Sequence, residues 1–133
     1  MSPGEKMEII IKAPFGKLLK MEVLEAKDGF AKITMPYRKE LTNPHGFIHG
    51  GALCSLADTA TAVAIVSKWG ERTFFTAKLD MEFKASIEDG EMFAEARIFR
   101  EKGNFFFSRI EVKDGNEKLL AIGSAIFFMP SEK

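Results

Sequence analysis

The chain has 133 residues, enough for one compact domain around one core. Nineteen Lys and Arg balance nineteen Asp and Glu, so no net field favours nucleic acid or an anionic membrane surface. At 46% hydrophobic and 29% charged the composition is ordinary for a globular protein, and the single cysteine, Cys54, excludes an internal disulfide.

From the N-terminus, "MSPGEKMEII" shows no apolar core followed by small cleavage-site residues, which fits an intracellular, cytoplasmic protein. Residues 1–14 read as a short helix ended by Pro14. Residues 19–26 and 30–35 then read as a hairpin around Asp28-Gly29. A loop opening at Asn43-Pro44 leads into the one long helical pattern, from Gly50 to Val66 or Lys68. Its apolar residues point in nearly every direction around the axis, as in a buried helix. The run 52–66 is interrupted by Ser55, Asp58, Thr59 and Thr61, and is too short and too polar to span a bilayer.

Beyond the helix, Phe75, Ala77, Leu79, Met81 and Phe83 alternate with Thr76, Lys78, Asp80 and Glu82, the period-two pattern of a half-buried strand. This places Thr76 on the polar face. Further strands are expected at 91–100, 105–112 and 119–129, set apart by turn signals at Asp89-Gly90, Gly103-Asn104 and Asp114-Gly115-Asn116. One buried helix among six antiparallel strands predicts an α+β fold, with a long curved sheet wrapped around the helix. A flatter two-layer arrangement, with the helix on one face only, is the runner-up. All of residues 1–133 belong to this single domain.

Asp58 is the only charge in the apolar helix. A carboxylate there is unfavourable unless it is paired, hydrogen-bonded or protonated. It reads either as a structural group, satisfied by a neighbour such as Thr59 or Thr61 or sitting on an exposed strip, or as a general base or nucleophile with a pKa raised by desolvation. At the helix start, His49-Gly50-Gly51 offers flexible backbone N–H donors beside the positive end of the helix dipole, a place suited to an oxyanion. The same glycines also suit a tight entry into the helix. Asn43 either orients a water or a carbonyl, or stabilises the turn. His45 lies in the loop at the pocket mouth.

Together, Asn43, His49, Gly50-Gly51 and Asp58 form the pattern N-x5-H-G-G-x6-D. With Gly46, the triplet Leu56-Ala57-Asp58, Ala60 and the order of elements, it resembles the hotdog-fold thioesterases, in particular the PaaI-like (phenylacetate-degradation) branch. The resemblance runs from about Phe15 to Met129. It implies a hotdog fold and an acyl-CoA thioesterase releasing a free acid and CoA. It further implies that Gly51 N–H binds the thioester carbonyl, that Asn43 polarises that carbonyl or holds the loop, and that His49 orients the site. Asp58, supplied across a dimer interface, would activate water or attack directly, and Thr76 matches a residue that positions the water. Gly46, His45 and Gly50 would line the substrate. The family pairs subunits edge to edge into a homodimer, and two dimers often stack into a homotetramer.

No metal or redox cofactor is implied, coenzyme A being part of the substrate. His45 and His49 are four residues apart, but Pro44, Gly46 and Gly50 break the helix a paired-ligand geometry needs. Cys54 reads as a small apolar filler rather than a nucleophile. HGG also occurs in the oxyanion loop of α/β-hydrolases, yet no G-x-S-x-G elbow is present. Phe105-Phe106-Phe107 reads as core and interface rather than a base-stacking platform. Lys84, Arg97, Arg100, Lys102 and Arg109 are candidates for the CoA phosphates. The Phe-rich walls suit aryl or medium-chain acyl groups, and the same residues also suit plain packing. Two rival functions are a hotdog hydroxyacyl-thioester dehydratase or hydratase, and a non-catalytic acyl-CoA-binding module.

Overall fold

A computed structural model describes residues 13–131. The first helix, α1, covers Pro14–Leu18. Pro14 is the first residue of this helix. Its fixed φ and missing N–H suit the first turn, where that donor has no partner anyway. The rest of the expected N-terminal helix, residues 1–12, lies outside the described residues.

Six strands follow: β1 (Glu22–Lys27), β2 (Phe30–Pro36), β3 (Phe75–Phe83), β4 (Glu91–Lys102), β5 (Phe105–Asp114) and β6 (Leu119–Phe128). They form one antiparallel sheet in the order β1-β2-β4-β5-β6-β3, so β1 and β3 are its edges. The turn signals fall between strands as read. Asp28 and Gly29 both take positive φ, 50° and 86°, the backbone a two-residue hairpin turn requires.

The long helix, α2, covers Gly50–Trp69 and touches all six strands. Its 20 residues are apolar and long enough to cross a bilayer by length and composition, a length the sequence pattern underestimated. Here the sheet clasps it instead, and Ala60–Val66 are buried on every side. Small side chains let the strands close around this half. One polar link crosses the core, Thr61 to Ser108 at 2.9 Å between hydroxyls, both fully buried. Trp69 packs edge-on against Phe106 at 4.8 Å and fixes the far end of the helix.

The first half of α2 is only partly covered. Leu53, Leu56 and Ala57 are buried, while Cys54, Ser55, Asp58 and Thr59 are half-exposed. Strand β3, which flanks this half, is exposed over most of its length, with Phe75 at 58% and Phe83 at 52%.

Strand β3 also breaks its own alternation. Its pairing with β6 slips by one residue between Thr76 and Lys78. Thr76 faces Phe127 and Leu79 faces Ala125, and both of those partners point into the core. Thr76 therefore shares the inward face with Leu79 and Met81. The strict alternation placed it on the opposite face; the β-bulge at Ala77 is the reason.

Candidate active site

The loop ahead of α2 is built from its own polar groups. Asn43 Oδ1 accepts hydrogen bonds from His45 N–H at 2.9 Å and Phe47 N–H at 3.2 Å. Gly46 takes φ of 85°, and its carbonyl accepts from the Tyr37 hydroxyl at 2.7 Å. Of the two readings of Asn43, its carbonyl oxygen serves the one that holds the loop. His45 is exposed on the tip of this turn.

His49 caps the helix. Its Nδ1 accepts from Gly51 N–H at 2.8 Å, satisfying one of the donors a helix start leaves free. The Gly51 donor expected for a carbonyl is thus engaged by His49, and serves a ligand once that ring turns aside. No hydrogen bond among the described residues engages Gly50 N–H. A side chain at Gly50 would press on the Phe83 ring at 3.4 Å, and one at Gly51 would crowd His49 Nδ1 at 3.0 Å. Ser55 Oγ donates to the Gly51 carbonyl at 2.9 Å. A cavity of about 250 Å³ opens beside this end, its walls including Phe15, Leu19, Leu41, His49 and Ser55.

Two turns further along α2, Thr76 Oγ1 donates to Asp58 Oδ1 at 2.6 Å. The contact lies within one chain, so Thr76 reaches the carboxylate without a partner subunit, although strand alternation placed it on the opposite face. Partial burial pushes the Asp58 carboxyl above the usual range, and the Thr76 hydroxyl bond pulls it partly back. Cys54, one turn before, has its thiol raised by burial and by the Asp58 carboxylate. At neutral pH it is a protonated thiol with no activating base.

The phosphate candidates divide by position. Arg97 and Arg109 project from the outer face of the sheet, beside the inward Ala96 and Ile110, and do not reach Asp58 within one chain. Lys84 follows Phe83 at the end of β3 nearest Gly50 and pairs with Glu82 at 3.6 Å. Phe83, Ser55 and Tyr37 are the positions the sequence reading missed. Ser55 had a usable signal, four residues beyond Gly51. The other two are brought in by pairings distant along the chain.

Residues 45–121 match the family model of the thioesterase superfamily. A protein of Archaeoglobus fulgidus that carries an esterase name is 32% identical over 116 residues, covering 87% of this chain and 75% of its own. The acyl-coenzyme A thioesterase PaaI of Escherichia coli is 42% identical over 52 residues, 39% of this chain and 37% of its own. Its solved structure superposes with a TM-score of 0.87, covering 99% of each chain at 23% identity. A conserved protein of Pseudomonas aeruginosa, PA5202, gives a TM-score of 0.85 at 28% identity over 91% of this chain and 97% of its own. A six-stranded antiparallel sheet closed around one helix is the hotdog fold, and with the match over more than half its length this chain belongs to the thioesterase superfamily as a thioester hydrolase.

Proposed function

We propose that the protein hydrolyses acyl-CoA thioesters, with Asp58 as general base. The observation that carries this reading is the Thr76–Asp58 pair. It is a half-buried carboxylate with a raised pKa, held in one orientation by a single hydroxyl and open on its remaining side. Asp58 takes a proton from water as the water oxygen attacks the thioester carbonyl carbon. The oxyanion is stabilised at the start of α2 by the N–H groups of Gly50 and Gly51, aided by the helix dipole. Collapse expels the CoA thiolate, which recovers the proton from Asp58. Water is consumed, and a carboxylic acid and a thiol are released.

Geometry favours a site shared between two chains. Gly51 and Asp58 are seven residues apart on one helix, about 10 Å along its axis at the α-helical rise. That is too far for both to act on one carbonyl carbon. Strand β3 flanks both ends of this stretch, Phe83 beside Gly50 and Thr76 beside Asp58, and its outer edge is unpaired among the described residues. A second copy pairing along that edge would bring its own α2 alongside, with its Gly51 end near Asp58 of the first.

The test is thiol release from aromatic, short, medium and long acyl-CoAs by wild type and Asp58→Asn. A loss of about 10²–10⁴-fold in kcat at unchanged subunit mass is expected for a removed base. Undiminished turnover in Asp58→Asn would overturn the assignment.

A further inference from the structure

The cavity of about 250 Å³ at the start of α2 takes Gly51, Ala52 and Ser55 from the helix and no residue from β3. Gly50 and Ala52, two residues apart, point to opposite sides of a helix. Phe83 stands against Gly50, so the cavity opens on the flank away from β3. Facing Ala52 and Ser55 are Leu41, at the end of the 3-10 turn Lys39–Leu41, and Phe15 and Leu19, from α1 and its C-cap. Leu19 is buried and lies at the depth of the cavity, while Phe15, 55% exposed, stands at its rim.

This far wall is tied down. The Arg38 guanidinium donates to the Leu18 carbonyl and joins α1 to the segment that carries Leu41. Leu19 N–H donates to the Phe15 carbonyl at 3.1 Å, and Met21 N–H to the Gly16 carbonyl at 3.0 Å. The hydroxyls on the walls are spent as donors within the chain, Thr42 Oγ1 on the Lys39 carbonyl at 2.7 Å and Ser55 Oγ on the Gly51 carbonyl. Glu40 pairs with Arg38 at 3.5 Å. What faces the interior is mainly apolar surface. It suits hydrocarbon, and it leaves the amides of a pantetheine arm poorly matched.

On the acyl-CoA reading, we propose that this cavity receives the hydrocarbon end of the acyl group and limits its length. Leu19 and Leu41 close its far end, and Ala52 sets its width. A thioester carbonyl held at the Gly51 N–H sends its alkyl or aryl end into the cavity and leaves the sulfur on the open side of α2. An apolar cavity of about 150 Å³ holds one benzene. At the same packing, about 250 Å³ holds a chain of about ten carbons, or a phenyl ring with a short spacer. Octanoyl and phenylpropionyl groups fit within that limit, and dodecanoyl and palmitoyl groups exceed it.

Two measurements test this. The first is kcat/KM over a ladder of acyl-CoAs. Wild type should prefer octanoyl- to dodecanoyl-CoA by about ten-fold or more, the scale of surplus methylenes in a closed apolar pocket. Ala52→Leu narrows the cavity and should lower the octanoyl-to-butanoyl ratio about ten-fold. Leu41→Ala lengthens it and should raise the dodecanoyl-to-octanoyl ratio by a similar factor; if that variant does not fold, Ala52→Leu decides alone. The second is calorimetric binding of S-octyl-CoA and S-dodecyl-CoA, thioethers that cannot be hydrolysed. S-octyl-CoA should bind more tightly to wild type, and Ala52→Leu should erase its advantage. Hydrolysis that ignores chain length, or an Ala52→Leu ladder of unchanged shape, would overturn the cavity's role and leave the thioesterase reading intact. Length-selective thioether binding without thiol release from any acyl-CoA would do the reverse.

Discussion

On the proposed mechanism, Asp58 links pH, stability and turnover in one side chain. Burial raises its pKa in the folded chain, so the protonated form is the better tolerated one. Its contribution to stability is then full below the ordinary carboxylate value and fades as pH rises through the raised one. Asp58→Asn keeps an oxygen for the Thr76 hydroxyl and removes the charge. At neutral pH its Tm should equal or exceed that of wild type, and the difference should shrink on acidification, as read by thermal denaturation across pH. The same shift places the acid limb of kcat/KM above the usual carboxylate range. Thr76→Val removes the bond that lowers this pKa, so the limb should move to still higher pH. A roughly ten-fold fall in kcat should accompany it, the scale of a hydrogen bond to a charged group. Thr76→Ser should restore both, and an unmoved pH profile in the valine variant would remove Thr76 from the site.

Among the elements, those whose signal is local were the legible ones. The helix entry at His49-Gly50-Gly51 and the turns at Asp28-Gly29 and Gly103-Asn104 are written in adjacent residues. Strand β3 was read correctly in extent and, from Leu79 onward, in phase; the phase failed at 75–77, because a bulge follows from pairing with β6 and leaves no mark in the composition of 75–83. Gly123 shows the same dependence on a neighbour. Nothing in the run 119–129 singles it out, yet any side chain there would collide with the backbone of Asp80 and Met81. Gly123→Ala should destabilise the fold by about 1–3 kcal/mol, as overpacking does. It should also loosen β3 first, seen as faster amide exchange over 75–83 than over β5 in the same sample.

At the scale of the whole molecule, the candidate residues were legible as a motif, and their proposed division between chains came from the resemblance and not from spacing alone. Spacing along one helix gives the separation of Gly51 from Asp58, while the sheet order that leaves β3 at an edge comes only from three dimensions. A shared site predicts complementation. Asp58→Asn and Gly51→Ala subunits, each impaired alone, should regain roughly a quarter of wild-type turnover when unfolded together and reassembled, since half of the dimers would be mixed and each would hold one intact site. No recovery, with mixed dimers verified by mass, would place the whole site within one chain.

The bulge at Ala77 makes the Thr76–Asp58 contact a matter of counting. Ala77 is exposed, and no hydrogen bond of the site involves its side chain. Its chemical identity is therefore nearly free, whereas its presence is what turns Thr76 toward the carboxylate. Ala77→Ser or Ala77→Val should leave turnover within a few-fold of wild type. Deleting Ala77 would restore a regular strand, turn Thr76 outward, and separate it from Asp58 without changing any residue of the site. Among relatives of this chain, a one-residue gap at this position should matter more than any exchange there.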